Sequence, residues 1–246
     1  MSLLGFQTAV AACIRHPRVS YEWKSDFLDK FELTDPERKI VEKLSRHEEL
    51  NKYGHDQAKG RLETTLNHID RVPNFIPDRV LKNIWFDLYE PTAIFVQSDL
   101  KGEREMSISF LKFLLASKDA QKRLRRCTPF FINDLIEFEI AELELCRDLR
   151  SNPPLCAGST INNPNFRIVD LDFDTPGWLG NPEEEDVTKF ERSLTLAFVR
   201  NKTVFPKMYE ITKEFKTFLL SQIGEGEIKE ASSEMKSDLV KMGLIV

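Results

Sequence analysis

Apolar residues recur every three or four positions along the first 150 residues, which is the spacing of one face of an α-helix. Helices are predicted over residues 3–14, 57–69, 77–88 and 107–116, and a further one begins at Thr34. Thr34 and Glu37 form a capping-box sequence, and Pro36 between them suits a first helical turn. These patterns predict a helical domain over residues 1–150.

The most regular helical pattern begins at Thr128-Pro129 and reads TPFFINDLIEFEIAELELCRDL. Its apolar positions trace a broad stripe, formed by Ile132, Leu135, Ile136, Ile140, Leu143 and Cys146. Acidic residues fill the positions between them, namely Asp134, Glu137, Glu139, Glu142 and Glu144. Paired carboxylates on helices can bind iron, but no Glu-x-x-His sequence follows here. The acidic positions are therefore predicted to form a solvated helix face.

The pattern changes after residue 150. Residues 151–164 are rich in Asn, Pro, Gly and Ser, which predicts a linker. Alternation of apolar and polar residues then predicts strands over Phe166–Asp174, Leu194–Val199 and Val204–Ile211. Residues 200–203 would join the last two strands as a hairpin. In the first strand the apolar face changes near Ile168, which predicts a bulge or an early end.

The C-terminal segment predicts two capped helices. Thr212 precedes a helix over residues 213–222, and Ser232 or Ser233 precedes a last helix that ends at Gly243. Leu244–Val246 would close the chain as a short strand. A hairpin followed by helix, turn, helix and terminal strand has the outline of a winged helix.

These elements define the predicted fold class, which is α+β. A helical domain over 1–150 is followed by a linker over 151–164 and by a winged-helix-like domain over 165–246 with a small antiparallel sheet. The chain has 246 residues, of which 41% are hydrophobic and 30% charged, so it can bury an ordinary core.

Charge argues against one common use of a winged helix. The chain has a net charge of −5, and residues 161–246 carry 11 basic and 15 acidic residues, a net charge of −4. In the last helix Glu234 and Asp238 balance Lys236 and Lys241. A surface that grips DNA phosphates needs uncompensated Lys or Arg, so DNA binding is disfavoured. A winged-helix transcription regulator with a helical sensor domain is the alternative function.

Cysteine and histidine usage limits the chemistry that this chain can carry. The four cysteines form no CxxC pair, and together with the absence of a signal peptide pattern they predict buried reduced thiols in a cytoplasmic protein. The four histidines have no metal-ligand spacing, so no metal site is predicted. A dyad of Cys13 and His16 is conceivable, which keeps a free-standing helical enzyme as a third hypothesis.

Two further charged groups could bind ligands. Lys122, Arg123, Arg125 and Arg126 form the strongest basic cluster, which could contact phosphate or a partner but is more often a solvated helix face. Asp170, Asp172 and Asp174 alternate along one strand, but the glycine and terminal glutamate of a calcium loop are missing, so a polar strand face is predicted.

Three segments resemble known proteins. The stretch Tyr209–Val246, with its Ile-Thr cap and its closing Leu-Val-x-Met-Gly-Leu-Ile, resembles the winged-helix peptide-recognition domain of ribosomal-peptide modification systems. Thr128–Leu145, with its Asp-Leu-Ile-Glu-Phe-Glu core, is similar to a helical region of the partner proteins of multinuclear non-heme iron oxidases. The opening Leu-x-x-Phe-Gln at Leu3–Gln7 is also similar to the start of such partners.

This resemblance implies a non-catalytic subunit that binds the leader of a precursor peptide and presents the peptide to an iron-dependent oxidase for cysteine modification. It implies no cofactor in this chain, iron in the partner and a heterodimer. The charge balance and the lack of a long apolar stretch predict that neither nucleic acid nor a membrane is a ligand. The resemblance places the leader between the edge strand and the last helix. The expected peptide-binding residues are Phe205, Met208, Tyr209, Glu210, Ile211, Met235, Leu239 and Met242.

Overall fold

The computed structural model describes residues 3–15, 28–29, 31–90, 102–145, 155–156, 158–181, 183–201, 206–224 and 229–245. The chain divides into two compact units, Met1–Thr128 and Pro129–Val246. It is mostly helical, with a small three-stranded antiparallel sheet in the C-terminal region, so the predicted α+β class is confirmed.

The described part of the first unit is helical. Its α-helices are α1 (Leu3–Arg15), α2 (Asp35–Ser45), α3 (Glu48–Leu66), α4 (Asp78–Ile84), α5 (Glu103–Ala116) and α6 (Lys118–Leu124). The capping box at the start of α2 is present, since the Thr34 backbone N–H donates to the Glu37 carboxylate at 2.8 Å. Helix α3 begins nine residues before the predicted start at residue 57. The buried positions in this first part of the helix are Asn51 and Gly54. Neither is apolar, so the hydrophobic pattern does not reveal these two turns.

Aromatic side chains fill the core beside α4 and α5. A 3₁₀ turn (Val72–Phe75) precedes α4, and α4 continues into a π-helical turn, Trp85–Tyr89. The rings of Trp85 and Tyr89 meet Phe110 of α5 edge-on, with centroids 5.0 and 5.1 Å apart. Such pairs stabilise a core beyond the area that they bury.

The second unit contains the sheet and the helices that cover it. Its elements are α7 (Ile132–Leu145), β1 (Phe166–Leu171), α8 (Thr175–Leu179), a 3₁₀ turn (Val187–Phe190), β2 (Leu194–Val199), β3 (Lys207–Glu210), α9 (Lys213–Gln222) and α10 (Ser233–Met242). Helix α7 packs on β1 and β2, which is why it belongs to this unit although the sequence analysis assigned it to the helical domain. The boundary between the units therefore follows Thr128 and not residue 150.

The strands form an antiparallel sheet in the order β1-β2-β3. Strand β1 pairs with β2 in an unbroken register from Phe166↔Val199 to Leu171↔Leu194, so the bulge that was one alternative near Ile168 is absent. The other alternative was an early end, and the strand does end at Leu171, three residues before the predicted Asp174. Apolar residues of β1 occur on both faces of the strand because helices cover both faces of the sheet. One face packs against Phe138, Ala141 and Leu145 of α7, and the other packs against α9 and α10.

The C-terminal helices follow the prediction closely. The Thr212 and Ser232 hydroxyls accept hydrogen bonds from the backbone N–H groups of Phe215 and Met235, both at 3.2 Å, and thereby cap α9 and α10. Gly243 ends α10 with a positive φ of 70°, a conformation that glycine adopts without a Cβ clash. The predicted terminal strand is wrong at Leu244 and Ile245, which lie outside the sheet.

Candidate functional site

A groove lies between the edge strand β3 and helix α10, with the first turn of α9 at one end. Its volume is about 560 Å³. The strand side is lined by Tyr209, Glu210 and Ile211, the α9 side by Thr212, Glu214 and Phe215, and the α10 side by Ser232, Glu234, Met235, Asp238, Lys241 and Met242. This set is called the β3–α10 groove below.

The groove brings together most of the expected peptide-binding residues. Tyr209, Glu210, Ile211, Met235 and Met242 all line it. They meet there because the strand and the last helix pack on the same core, into which Tyr209, Ile211 and Met235 extend their apolar parts. A groove with an apolar floor and polar edges has the composition of an ordinary ligand site.

Two of the expected residues do not have their side chains in the groove lining, and a third lies outside the described residues. Leu239 is fully buried beneath the groove, so it supports the groove without lining it. Met208 pairs with Phe198, whose ring packs against Phe138 of α7, so the Met208 side chain lies on the opposite face of the sheet. Phe205 lies outside the described residues.

The backbone of β3 presents hydrogen-bonding groups to the outer edge of the sheet. The Ile211 N–H donates to the Thr195 carbonyl at 2.9 Å, so the backbone groups of these two residues point toward each other. The same holds two residues earlier, for Tyr209 of β3 and Ala197 of β2. In an antiparallel ladder such pairs alternate with pairs whose N–H and C=O groups point away. The N–H and C=O groups of Met208 and Glu210 therefore point outward, and no strand in the described ranges covers this edge.

Two contacts set the width of the β3–α10 groove. The Tyr209 hydroxyl donates to the Lys241 carbonyl at 3.4 Å and links the strand to α10. Phe215, whose ring is buried at the start of α9, closes the floor, and its backbone N–H is held by the Thr212 cap. The walls of the groove are thus attached to the same core.

Carboxylates surround the mouth of the groove. Arg192 donates to both carboxylate oxygens of Glu210 at 3.1 Å, and Lys241 pairs with Asp238 at 2.9 Å. Hydrogen bonds from its own backbone N–H and from the Thr212 hydroxyl hold the pKa of Glu214 below its usual range. Glu214 is therefore a stable anion at the mouth of the groove.

Seven of the twelve residues that line the groove were not predicted from the sequence, although a signal for some of them exists. Thr212 and Ser232 were recognised as helix caps but not as site residues. Both caps lie at the groove, so the first turns of α9 and α10 open onto it. The residues that follow each cap, Glu214 and Glu234 among them, could have been named from that geometry.

The basic cluster lies in the first unit, around the end of α6. Arg123 pairs with Asp87 at 3.0 Å, so its charge is partly compensated. Lys122, Arg125 and Arg126 are exposed. The cluster belongs to the first unit, and the β3–α10 groove belongs to the second.

The acidic positions of α7 are not the solvated face that the sequence predicted. None of the five is exposed, and Glu139 is buried. Glu144 pairs with Arg167 of β1 at 3.0 Å. Burial raises the pKa values of Asp134 and Glu137, and nearby carboxylates add to the effect, Asp172 at Asp134 and chiefly Asp134 at Glu137.

The raised pKa of Glu137 predicts a pH-dependent stability. A carboxyl whose pKa is higher in the folded chain favours folding while it is protonated, and this contribution is lost as the pH rises through the folded pKa. We expect Glu137→Gln to raise the free energy of unfolding by a few tenths to about 1 kcal/mol at pH 7 and to have little effect at pH 3. Urea unfolding at the two pH values measures the difference, and equal effects at both would contradict it.

Three findings concern other kinds of site. Within the described residues, no three His, Cys, Asp or Glu side chains are grouped so that they could hold a metal ion. Burial raises the pKa of the Cys13 thiol to about 12, which makes it a poor nucleophile at neutral pH. The prediction of uniformly buried cysteines is wrong at Cys127, whose side chain is exposed.

The described helices include none with both the length and the apolar character that crossing a bilayer requires. Comparisons of this chain with models of known families, with curated proteins and with solved structures found no match.

Proposed function

We propose that the C-terminal unit binds an extended peptide segment by strand addition along β3, with peptide side chains seated in the β3–α10 groove. One observation carries this proposal: the outward-facing backbone groups of Met208 and Glu210 lie directly beside an apolar groove. Strand addition takes its affinity from such backbone groups and its specificity from pockets for alternate side chains.

The register of β3 defines how a bound segment lies. Backbone groups of the peptide pair with those of Met208 and Glu210, so the peptide becomes a fourth strand of the sheet. Side chains that stand beside Tyr209 point toward α10, where Phe215 and Met235 offer apolar surface. The side chains next to them point to the α7 face, where the exposed side chain of Met208 lies.

The proposed biological role extends this binding step. The chain is a cytoplasmic, non-catalytic subunit that binds the leader of a precursor peptide and forms a heterodimer with an iron-dependent oxidase, in which the cysteine of the peptide is modified. The resemblances at Leu3–Gln7, Thr128–Leu145 and Tyr209–Val246 support this role, and so does the sheet with its two capped C-terminal helices, the outline of a winged-helix peptide-recognition domain. The helical first unit is the proposed surface for the oxidase.

Co-expression tests the role. The chain is produced alone, and together with the products of its neighbouring genes, among which the role requires a histidine-rich barrel protein and a short cysteine-containing peptide. We expect a stable heterodimer, iron in the barrel subunit, and modification of the peptide only when all three are present. Iron analysis after separating the subunits, together with mass spectrometry of the peptide, provides the readout.

Two results would overturn the role. The first is stoichiometric iron in the chain alone together with turnover of the peptide, which would make this chain the enzyme. The second is a gel mobility shift of DNA that contains its own promoter, at physiological salt and without peptide binding, which would favour the transcription regulator.

A further inference from the structure

The lining of the β3–α10 groove carries an uneven charge. Three carboxylates from the two helices line it, those of Glu214, Glu234 and Asp238, against a single ammonium group, that of Lys241. The lining residue Glu210 pairs with Leu196 of β2, so its side chain stands on the α7 face of the sheet, as that of Met208 does. The ammonium group already pairs with Asp238 at 2.9 Å, and Glu210 pairs with Arg192 outside the lining. Glu214 and Glu234 remain, and neither forms an ion pair within the described residues.

These two carboxylates come from different helices and meet at the groove. Glu214 lies in the first turn of α9 and Glu234 in the first turn of α10. The first turn of a helix is a favourable place for a negative charge. At Glu214 the pKa is lowered, since its own backbone N–H and the Thr212 hydroxyl both donate to the carboxylate. The groove therefore presents two carboxylates, from two helices, beside an apolar floor.

We infer that the β3–α10 groove selects a peptide segment in which an apolar residue is accompanied by lysine or arginine. The inference rests on the proposed function, because it assumes that a peptide strand occupies the groove. An apolar side chain covers Phe215 and Met235, while the cationic group of a neighbouring residue reaches Glu214 and Glu234. An acidic segment is rejected, because its carboxylates would face those of the groove without compensation.

Selection from a random decapeptide library tests the inference with the full-length chain. We expect the retained sequences to be enriched in Lys and Arg within two positions of an apolar residue. The affinity of the best retained peptide is then measured by fluorescence anisotropy. The double variant Glu214→Gln/Glu234→Gln should weaken binding about tenfold, and replacing the lysine of the peptide with glutamine should cause a similar loss. When both the chain and the peptide are changed, the affinity should fall little further, because each change removes the same interaction between the lysine and the two glutamates.

A matched control separates the groove from the overall charge of the chain. The variant Glu183→Gln/Glu185→Gln removes the same two charges from exposed positions that do not line the groove, and it should change affinity less than twofold. The variant Met208→Pro removes an outward-facing N–H of β3 and therefore tests strand addition itself. If the retained peptides lack Lys and Arg but their binding is lost in this variant, the charge inference is overturned and the proposed function stays intact. An absence of retained peptides, or binding that Met208→Pro does not affect, would overturn both.

Discussion

The substitution Met208→Pro is expected to weaken peptide binding at least about tenfold, while Met208→Ala keeps most of the affinity. The Met208 N–H points to the outer edge of β3, so proline removes a donor that a peptide strand would use. The proline ring also fills the space where the peptide backbone would approach. A lost hydrogen bond of about 1 kcal/mol together with this steric conflict corresponds to the tenfold change. Fluorescence anisotropy with the peptide retained from the library measures it.

The structure explains why Met208 is the right position for this test. Edge strands tolerate proline where the N–H faces outward, so the pairing of β3 with β2 should survive. Tyr209→Pro makes the contrasting variant, since the Tyr209 N–H faces Ala197 of β2, and it should lower the unfolding midpoint as well as binding. If Met208→Pro folds normally and binds as tightly as Met208→Ala, strand addition at β3 is excluded.

The largest effect on stability is expected for Phe198→Ala, at about 3–5 kcal/mol. Phe198 is fully buried in the central strand β2, and its ring meets Phe138 of α7 edge-on with centroids 5.1 Å apart. Truncation leaves a cavity between the sheet and the helix that covers it. The cavity should not close fully, because β2 pairs with a strand on each side and several other side chains hold α7 on the sheet. Urea unfolding, followed by hydrogen exchange of the β2 segment, measures the loss.

A surface valine provides the control for this substitution. Val240 lies on α10 with 55% of its surface exposed, so Val240→Ala should change the free energy of unfolding by less than about 0.5 kcal/mol. A cost for Phe198→Ala of the same size as that control would mean that α7 does not form a core with the sheet.

Local signals predicted the C-terminal elements well. The predicted bounds of β2 and α9 agree with the structure, because alternation, a cap and a helical stripe define such elements within a few residues. The domain boundary was not predictable in this way. The apolar stripe on α7 shows that the helix packs against something, but only the fold shows that this is the sheet that follows it.

The candidate site was predicted in part, for a similar reason. Tyr209, Ile211 and Met235 could be assigned to a groove from the order of strand and helix. The sequence did not show that the Met208 side chain faces away from the groove, because alternation places strand neighbours on opposite faces and both faces of this sheet carry apolar residues. Glu214 and Glu234 were missed because a first-turn glutamate is commonly a helix-stabilising residue, and its role at the groove depends on tertiary packing.

The shortness of β3 has a kinetic consequence. The strand spans four residues, and only two of them turn their backbone groups outward, so a peptide strand gains about four hydrogen bonds at most. At about 1 kcal/mol each these bonds hold the peptide only briefly, and the groove must supply the remaining affinity. In the proposed role, in which the chain delivers one peptide after another, a short residence time is an advantage, because slow release of the modified peptide would limit turnover of the proposed assembly.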